Sequence, residues 1–401
     1  MARVTHQLAR RTFVQGAIGL VAAAAGLGAA AGLTGCSGGD EGVSAEPTNP
    51  SEGKLGGKLV LYTSCSESLI NAAVPAFMQE SGVAVTVVRG TTGELLSRLE
   101  ADFAAGMHVA DVVWGGDASW YEASSERFAT YVAGENGAMR EGCRNVGGTC
   151  TPVTREVAVL VRGVGEKDVR AAADADDGEG EGSAAESESV SSPKVTGYTT
   201  LLSRGLTDCA YEDPAASEAE LLHLAGLAAG LGTSDPNAPW QWAQELSTAG
   251  VLSAEDEAGD GEAALAAVDE GTAAWGLSLE QPCVAAERAG HAVEVVYPAE
   301  GEAVTCGCTA IVRDCANLAQ AQAWVDYVVG QPCQQVLFSE AAARPVRADV
   351  NDPEGLPEVP DPKTVDREAL LATWVSVVDG TWEPVEEPAN EEAASEASAE
   401  L

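Results

Sequence analysis

The sequence predicts an α/β chain built on largely parallel sheets, in two successive regions behind an export leader. Three observations carry this. Short apolar runs alternate with helical patterns from Leu59 onward, the signature of βαβ units and a parallel sheet. A second set of elements follows an acidic, Gly/Ser-rich interruption. The leader ends at a cysteine, and 401 − 35 = 366 residues remain from that cysteine on, a length that suggests two domains.

Residues 1–36 read as an address label. Arg10-Arg11-Thr12-Phe13 supplies the twin arginine and aromatic of a folded-export signal. The Ala/Gly-rich run Ala17–Leu33 leads into Leu33-Thr34-Gly35-Cys36, which resembles a lipobox whose Cys36 takes lipid and becomes the first mature residue. A plain membrane anchor of the same length is the bland alternative. The paired arginines and the small-residue/Cys ending together favour the leader. No later segment holds about 18 consecutive apolar residues, so the expectation is a soluble body on a tether, with 37–57 as a flexible linker.

From Lys58 the sequence runs KLVLYTSCSES, a strand over Leu59–Thr63 that stops in small polar residues. Leu69, Ile70, Ala73, Val74, Phe77 and Met78 then recur at helical spacing, with Pro75 set inside. Val83–Val88 reads as the next strand. Thr91-Thr92-Gly93-Glu94 matches a capping box, followed by Leu95, Leu96, Leu99 and Phe103 on one helical face. Ala110–Trp114 is a third strand, ended by Gly115-Gly116. Further on, Glu218–Leu231, Trp240–Ala249, Glu262–Gly271, Leu318–Val329 and Gln334–Ala342 read as helices, with strands at Val293–Tyr297 and Thr309–Val312.

The net charge of −40 is concentrated locally. Residues 166–188 carry nine Asp/Glu and the last nineteen residues carry seven Glu, both in Ser/Ala/Gly-rich surroundings of solvated, disordered composition. That balance repels nucleic-acid phosphates, and no nucleic-acid partner is expected. Ten cysteines fit an exported protein in which disulfides persist. With Cys36 lipidated nine remain, an odd number. Cys143 and Cys150, enclosing a Gly-Gly loop, are the expected local pair; the connectivity of the others is open.

Three strands of the first half end alike, in Thr63-Ser64-Cys65-Ser66, in Gly90-Thr91-Thr92-Gly93 and in Gly115-Gly116-Asp117. The carboxyl ends of parallel strands line the edge where ligands bind. Each loop enters a helix N-terminus, with free N–H groups and a partial positive charge. Capping alone explains any one loop; three together point to a solute site. Two other readings stand beside it. Cys65 at a helix N-terminus offers a nucleophile for a Cys-dependent extracytoplasmic enzyme. Cys306-Gly-Cys308 with Cys315 offers zinc ligands without a clear fourth. Binding without catalysis, metal or cofactor is the expectation.

The string KLVLYTS (58–64), GELLSRLEAD (93–102), ADVVWGGDA (110–118), AYEDPAAS (210–217), VEVVYPAEG (293–301) and ARPVRADV (343–350) resembles the extracellular solute-binding proteins of ABC importers, in the iron(III)/phosphonate/sugar-phosphate branch. The resemblance covers roughly 58–350. It implies two Rossmann-like lobes with a hinge, the type 2 periplasmic-binding-protein fold, acting as a monomer that delivers solute to a membrane permease. It implies a first lobe of 58–155 and 301–385, a second of 156–300 with the acidic insertion 165–193, and an acidic tail over 386–401. The implied contacts are Ser64, Cys65, Ser66, Arg89, Thr91, Thr92, Gly93, Gly116 and Asp117 from the first lobe. Asp213, Ala216, Ser217, Ser278, Glu280 and Tyr297 come from the second. Relatives that hold bare ferric iron use adjacent tyrosines, and every tyrosine here is isolated. A phosphonate or phosphorylated small molecule therefore fits better than iron or an iron chelate, with Arg89 assisting and Asp117 or Glu280 meeting an amine or hydroxyl.

Overall fold

Leu59, Leu61 and Tyr62 are fully buried in β1 (Lys58–Thr63), a strand held between two parallel neighbours, β2 (Ala84–Arg89) and β3 (Val112–Trp114). This computed structural model describes residues 54–164 and 194–385. The leader with Cys36, linker residues 37–53, the insertion 165–193 and the tail lie outside the described residues, and no described helix is long and apolar enough to cross a membrane.

Each crossover is a helix. α1 (Glu67–Ser81) begins where the Ser66 hydroxyl accepts from the Leu69 amide and ends at Gly82 with φ 72°. α2 (Thr92–Ala104) follows Thr91, whose amide donates to Glu94 Oε2 at 3.2 Å; only this half of the expected capping box forms, because the Thr91 hydroxyl is unpartnered. α1 keeps Pro75 inside it, and Phe77 two residues on meets Trp324 edge-on at 5.2 Å.

Beyond β3 the sheet is mixed rather than parallel. β4 (Thr151–Gly163) runs antiparallel to β9 (Val304–Ile311) over Thr151–Val157. It then pairs with β7 (Trp275–Leu279) over Ala158–Arg162 and with β8 (Val293–Val296) over Leu160–Gly163. One thirteen-residue strand thus serves both lobes, with the lobe change between Val157 and Ala158. Its positions from Thr151 through Val161 are all buried, which is why it shows no two-residue alternation to mark it as a strand. The chain returns through β8 to β9. The second lobe adds β5 (Cys209–Tyr211) and β6 (Val251–Leu252), and the strand order is β2-β1-β3-β9-β4-β7-β5-β6. A final short strand, β10 (Arg344–Pro345), pairs with β4.

The remaining helices are α3 (Ala118–Glu122), α4 (Tyr198–Arg204), α5 (Glu218–Gly230), α6 (Ala238–Ala249), α7 (Glu262–Asp269), α8 (Glu280–Ala289), α9 (Leu318–Val329), α10 (Gln331–Ala341) and α11 (Arg367–Val378). α10 packs on α1 of the first lobe, and α9 buries Trp324 against Phe77 and Trp114. α11 lies on α5 and α6, with Trp374 against Tyr211 at 6.3 Å, so the last described helix packs on helices of the 156–300 region. Leu370, Trp374 and Val377 form its buried stripe.

The cysteines are also rearranged. Cys143 meets Cys306 with sulfurs 3.5 Å apart, and the Cys150 thiol lies close enough to Cys308 to push the Cys308 thiol up. Cys143 and Cys150, the expected local pair, are both free thiols.

Candidate functional site

The loops after β1, β2 and β3 do converge, at the seam between the lobes. Ser64 Oγ and Thr92 Oγ1 share a hydrogen bond of 2.7 Å, and both residues are buried. Gly93 donates its amide across the seam to Ala216 O at 2.7 Å. A Cβ on Gly93 would stand 2.6 Å from Ala215 O, so only glycine lets the lobes approach this closely. Ser66 Oγ reaches Gln281 Oε1 at 2.6 Å, and Gln281 Nε2 returns to Ser68 Oγ at 2.9 Å.

An anion occupies the donors, and it belongs to the chain. Asp260 Oδ1 accepts from the Thr92 amide at 3.0 Å and Oδ2 from the Thr92 hydroxyl at 2.5 Å. The Ser64 hydroxyl and the Glu218 amide at the start of α5 lie close enough to favour the charged form of this carboxylate, so the N-termini of α2 and α5, one from each lobe, flank the same group. Asp260 N in turn donates to Ser64 O at 3.0 Å. The loop between β6 and α7 supplies Asp260 within Gly259-Asp260-Gly261-Glu262, and Ser278 Oγ braces that loop by donating to Gly261 O at 2.8 Å.

More carboxyls crowd the seam. Glu218 accepts from Trp120 Nε1 through Oε2, while its Oε1, fully buried, has no partner. Glu156 on β4 receives one long bond, from Thr154 Oγ1 at 3.3 Å, and fits only because Gly307 faces it; a Cβ there would lie 2.0 Å from Glu156 Oε1. Burial, then the neighbouring Asp260, pushes the Glu156 carboxyl up to about 8. Burial pushes Asp260 up to about 6 against the pull of its Thr92 and Ser64 hydrogen bonds, and Glu218 well above the carboxylate range. Desolvation penalises each charged form, and like charges add to it. Arg367 faces Glu218 and Asp117 and lies over the Trp120 ring at 4.1 Å. About 20 Å³ of open space remains among Ser64, Cys65, Gly115, Glu156, Asp260 and Gln281, room for one water.

Residues 59–340 match the model of a family described as bacterial extracellular solute-binding protein. The chain belongs to this family. The periplasmic binding protein AfuA from Actinobacillus pleuropneumoniae, solved with fructose-6-phosphate, superposes with a TM-score of 0.65 at 16% identity, over 80% of this chain and 99% of that one. Iron-bound HitA from Pseudomonas aeruginosa gives 0.59 at 17% over 80% and 99%, and a periplasmic thiamin binding protein 0.57 at 18% over 80% and 96%. At these identities the likeness is one of fold, the two-lobed type 2 periplasmic-binding-protein architecture. No curated protein matches the sequence.

Within this solute-binding fold the expected contacts divide. Ser64, Ser66, Thr92, Gly93 and Ala216 meet at the seam, and the Gly116 carbonyl accepts from Cys308 N beside it. Asp117 caps α3 through Ser119 N at 2.9 Å and accepts from Thr305 Oγ1 and the Val365 amide, so its bonds are structural. Arg89 is ion-paired with Glu262 rather than free for an anion. Glu280 forms a two-point ion pair with Arg344, at 2.6 and 2.8 Å, and accepts from Tyr297 OH at 2.6 Å; it is committed to the β10 junction. Ser217 Oγ is buried near Glu212 without a hydrogen-bond partner, and Asp213 stays exposed, accepting from Ala215 N in its own turn. Cys65 lies at the seam, but burial and the carboxyls raise its thiol well above the usual value, the reverse of what a nucleophile needs. Among the described residues no group of three or more His, Cys, Asp or Glu side chains is placed to hold a metal ion.

Glu156, Glu218, Asp260, Gln281 and Trp120 complete the seam without having been singled out in the sequence. The Gly-Asp-Gly-Glu turn before a helical pattern marks Asp260 as a loop residue, and a lone Glu inside the apolar run VTREVAVLV marks Glu156 as a buried acid.

Proposed function

We propose that this chain is the lipid-anchored, non-catalytic solute receptor of an ABC importer, tethered through Cys36, and that its solute carries an anionic group and an ammonium on one small molecule. Aminophosphonates and phosphorylated amines are the class. One observation carries the reading: the Asp260 carboxylate, bonded by the amide and hydroxyl of Thr92 at the start of α2, lies beside the N-terminus of α5, while Glu218 Oε1 next to it is buried and unpartnered. The first group is the geometry of an anion subsite, already filled. The second asks for a donor, which an ammonium supplies. Solute enters when the lobes part about β4, displaces Asp260 and then contacts both lobes, as a ligand must if it is to favour the closed state.

Calorimetry of the full chain with four probes tests this: 2-aminoethylphosphonate, ethylphosphonate, ethanolamine and inorganic phosphate. The aminophosphonate should bind at least about tenfold more tightly than either half alone, a difference of about 1.4 kcal/mol. Equal binding of ethylphosphonate removes the ammonium subsite, equal binding of ethanolamine removes the anion subsite, and no binding of any probe overturns the solute class.

A further inference from the structure

Four cysteines outside the seam gather where the segment before β4 runs along β9. Cys306 and Cys308 are two apart on β9 and so face the same side of the strand. Cys143 is fully buried with its sulfur 3.5 Å from that of Cys306. Cys150, immediately before β4, lines one cavity with Cys308, and the strands that follow it are in register there, Thr151 opposite Thr309 and Pro152 opposite Cys308. Arg155 and Arg140 lie close enough to Cys143 to favour its thiolate, and the hydrogen bond with Cys306 acts in the same direction.

We propose that the exported protein carries two disulfides, Cys143–Cys306 and Cys150–Cys308, which staple the segment ahead of β4 to β9 and so hold the first-lobe end of the strand that crosses between lobes. A bond length near 2.05 Å requires the first pair to close by roughly 1.5 Å, within the reach of side-chain rotation. Three of the four sulfur-bearing residues, Cys150, Cys306 and Cys308, line an open cavity of ≈ 220 Å³ that also exposes Arg144, Asn145 and Lys363. The oxidant is a disulfide acceptor, such as oxidised glutathione or the exposed disulfide of an extracytoplasmic thiol oxidase, that meets these thiols at the mouth of the cavity or before they are buried. In each pair one thiolate attacks the acceptor's S–S bond, releasing one acceptor thiolate and forming a mixed disulfide. The second thiolate then displaces the acceptor. Two S–H bonds are broken and one S–S bond forms; the two electrons and two protons leave on the acceptor as two thiols. Two staples in this position leave the Val157–Ala158 crossing untouched, so they stiffen one lobe and spare the hinge.

The full chain, exported by its host and purified without reductant, is denatured, alkylated and digested without reduction. Peptide mass mapping should show Cys143 linked to Cys306 and Cys150 linked to Cys308, with about 2 Da lost per link. Cys209 and Cys283 should alkylate before reduction. Cys143→Ser should abolish only the first link, and Cys150→Ser only the second. Each should lower Tm by roughly 3–10 °C, and reductant should bring the wild type down by a similar or larger amount. Four free thiols in the exported protein, a Cys143–Cys150 or Cys306–Cys308 link, or one equivalent of zinc held by the four sulfurs would each overturn the assignment.

Discussion

Raising the pH from 6.5 to 8 should weaken the folded chain, and Glu156 sets the scale. Burial and Asp260 hold its carboxyl up at about 8, whereas in the unfolded chain it titrates near the ordinary value of 4.5. The folded state therefore keeps a proton that the unfolded state has lost. Stability is fully present below the unfolded value and is lost as pH rises through the folded one, at about 1.4 kcal/mol per pH unit in between. Across this window Glu156 accounts for about 1.5–2 kcal/mol. Glu212, pushed up to about 7 chiefly by burial, adds just under about 1 kcal/mol, and Asp260, at about 6, has mostly titrated already. His223 has the opposite sign: burial lowers it to about 4, so its contribution falls away below about 6.5, outside the window. The three carboxyls sum to about 2.5 kcal/mol, a fall in Tm of at least about 4–8 °C, because burial also pushes Glu218 and Glu220 well above the carboxylate range and both act with the same sign. Thermal melts at constant ionic strength read it directly. Glu156→Gln should make the slope shallower. A Tm that is flat or rising with pH in the wild type, or an unchanged slope in Glu156→Gln, refutes the buried, un-neutralised carboxyl.

Two further outcomes are accessible. Gly93→Ala places a methyl group 2.6 Å from Ala215 O across the seam, so the solute-free chain should scatter with a larger radius of gyration than wild type at little change in Tm; identical scattering would show that the seam yields without parting. A radioactive fatty acid should label the wild type and not Cys36→Ala, and equal labelling would remove the lipid anchor; a single acyl chain holds a protein only marginally, so more than one chain is expected on the mature terminus.

What was legible in the sequence follows from range. β1, β2, α1 and α2 were readable because each is written in its own residues: an apolar run, a helical repeat, a serine or threonine at the cap. β4 was harder to recognise, since eleven consecutive buried positions erase the alternation that marks a strand. The site divides along the same line. A helix N-terminus at Thr92 is a local fact, and so is the hydroxyl of Ser64 one loop away. The group that satisfies them is not local: Asp260 lies 168 residues beyond Thr92 and reaches it only after the second lobe folds back along β4. Reading donors without their acceptor led to a free anion site. In the fold those donors are met by the Asp260 carboxylate, and on the proposed function this reverses what a solute must do. It has to outbid a side chain held at high effective concentration, and Asp260 exacts less when protonated, because a neutral carboxyl loses its hold on the Thr92 amide. Acidification toward 6 therefore loosens the resident group as well as stabilising the fold. On the proposed function, the same titration that steadies the closed seam loosens the group that a solute must displace.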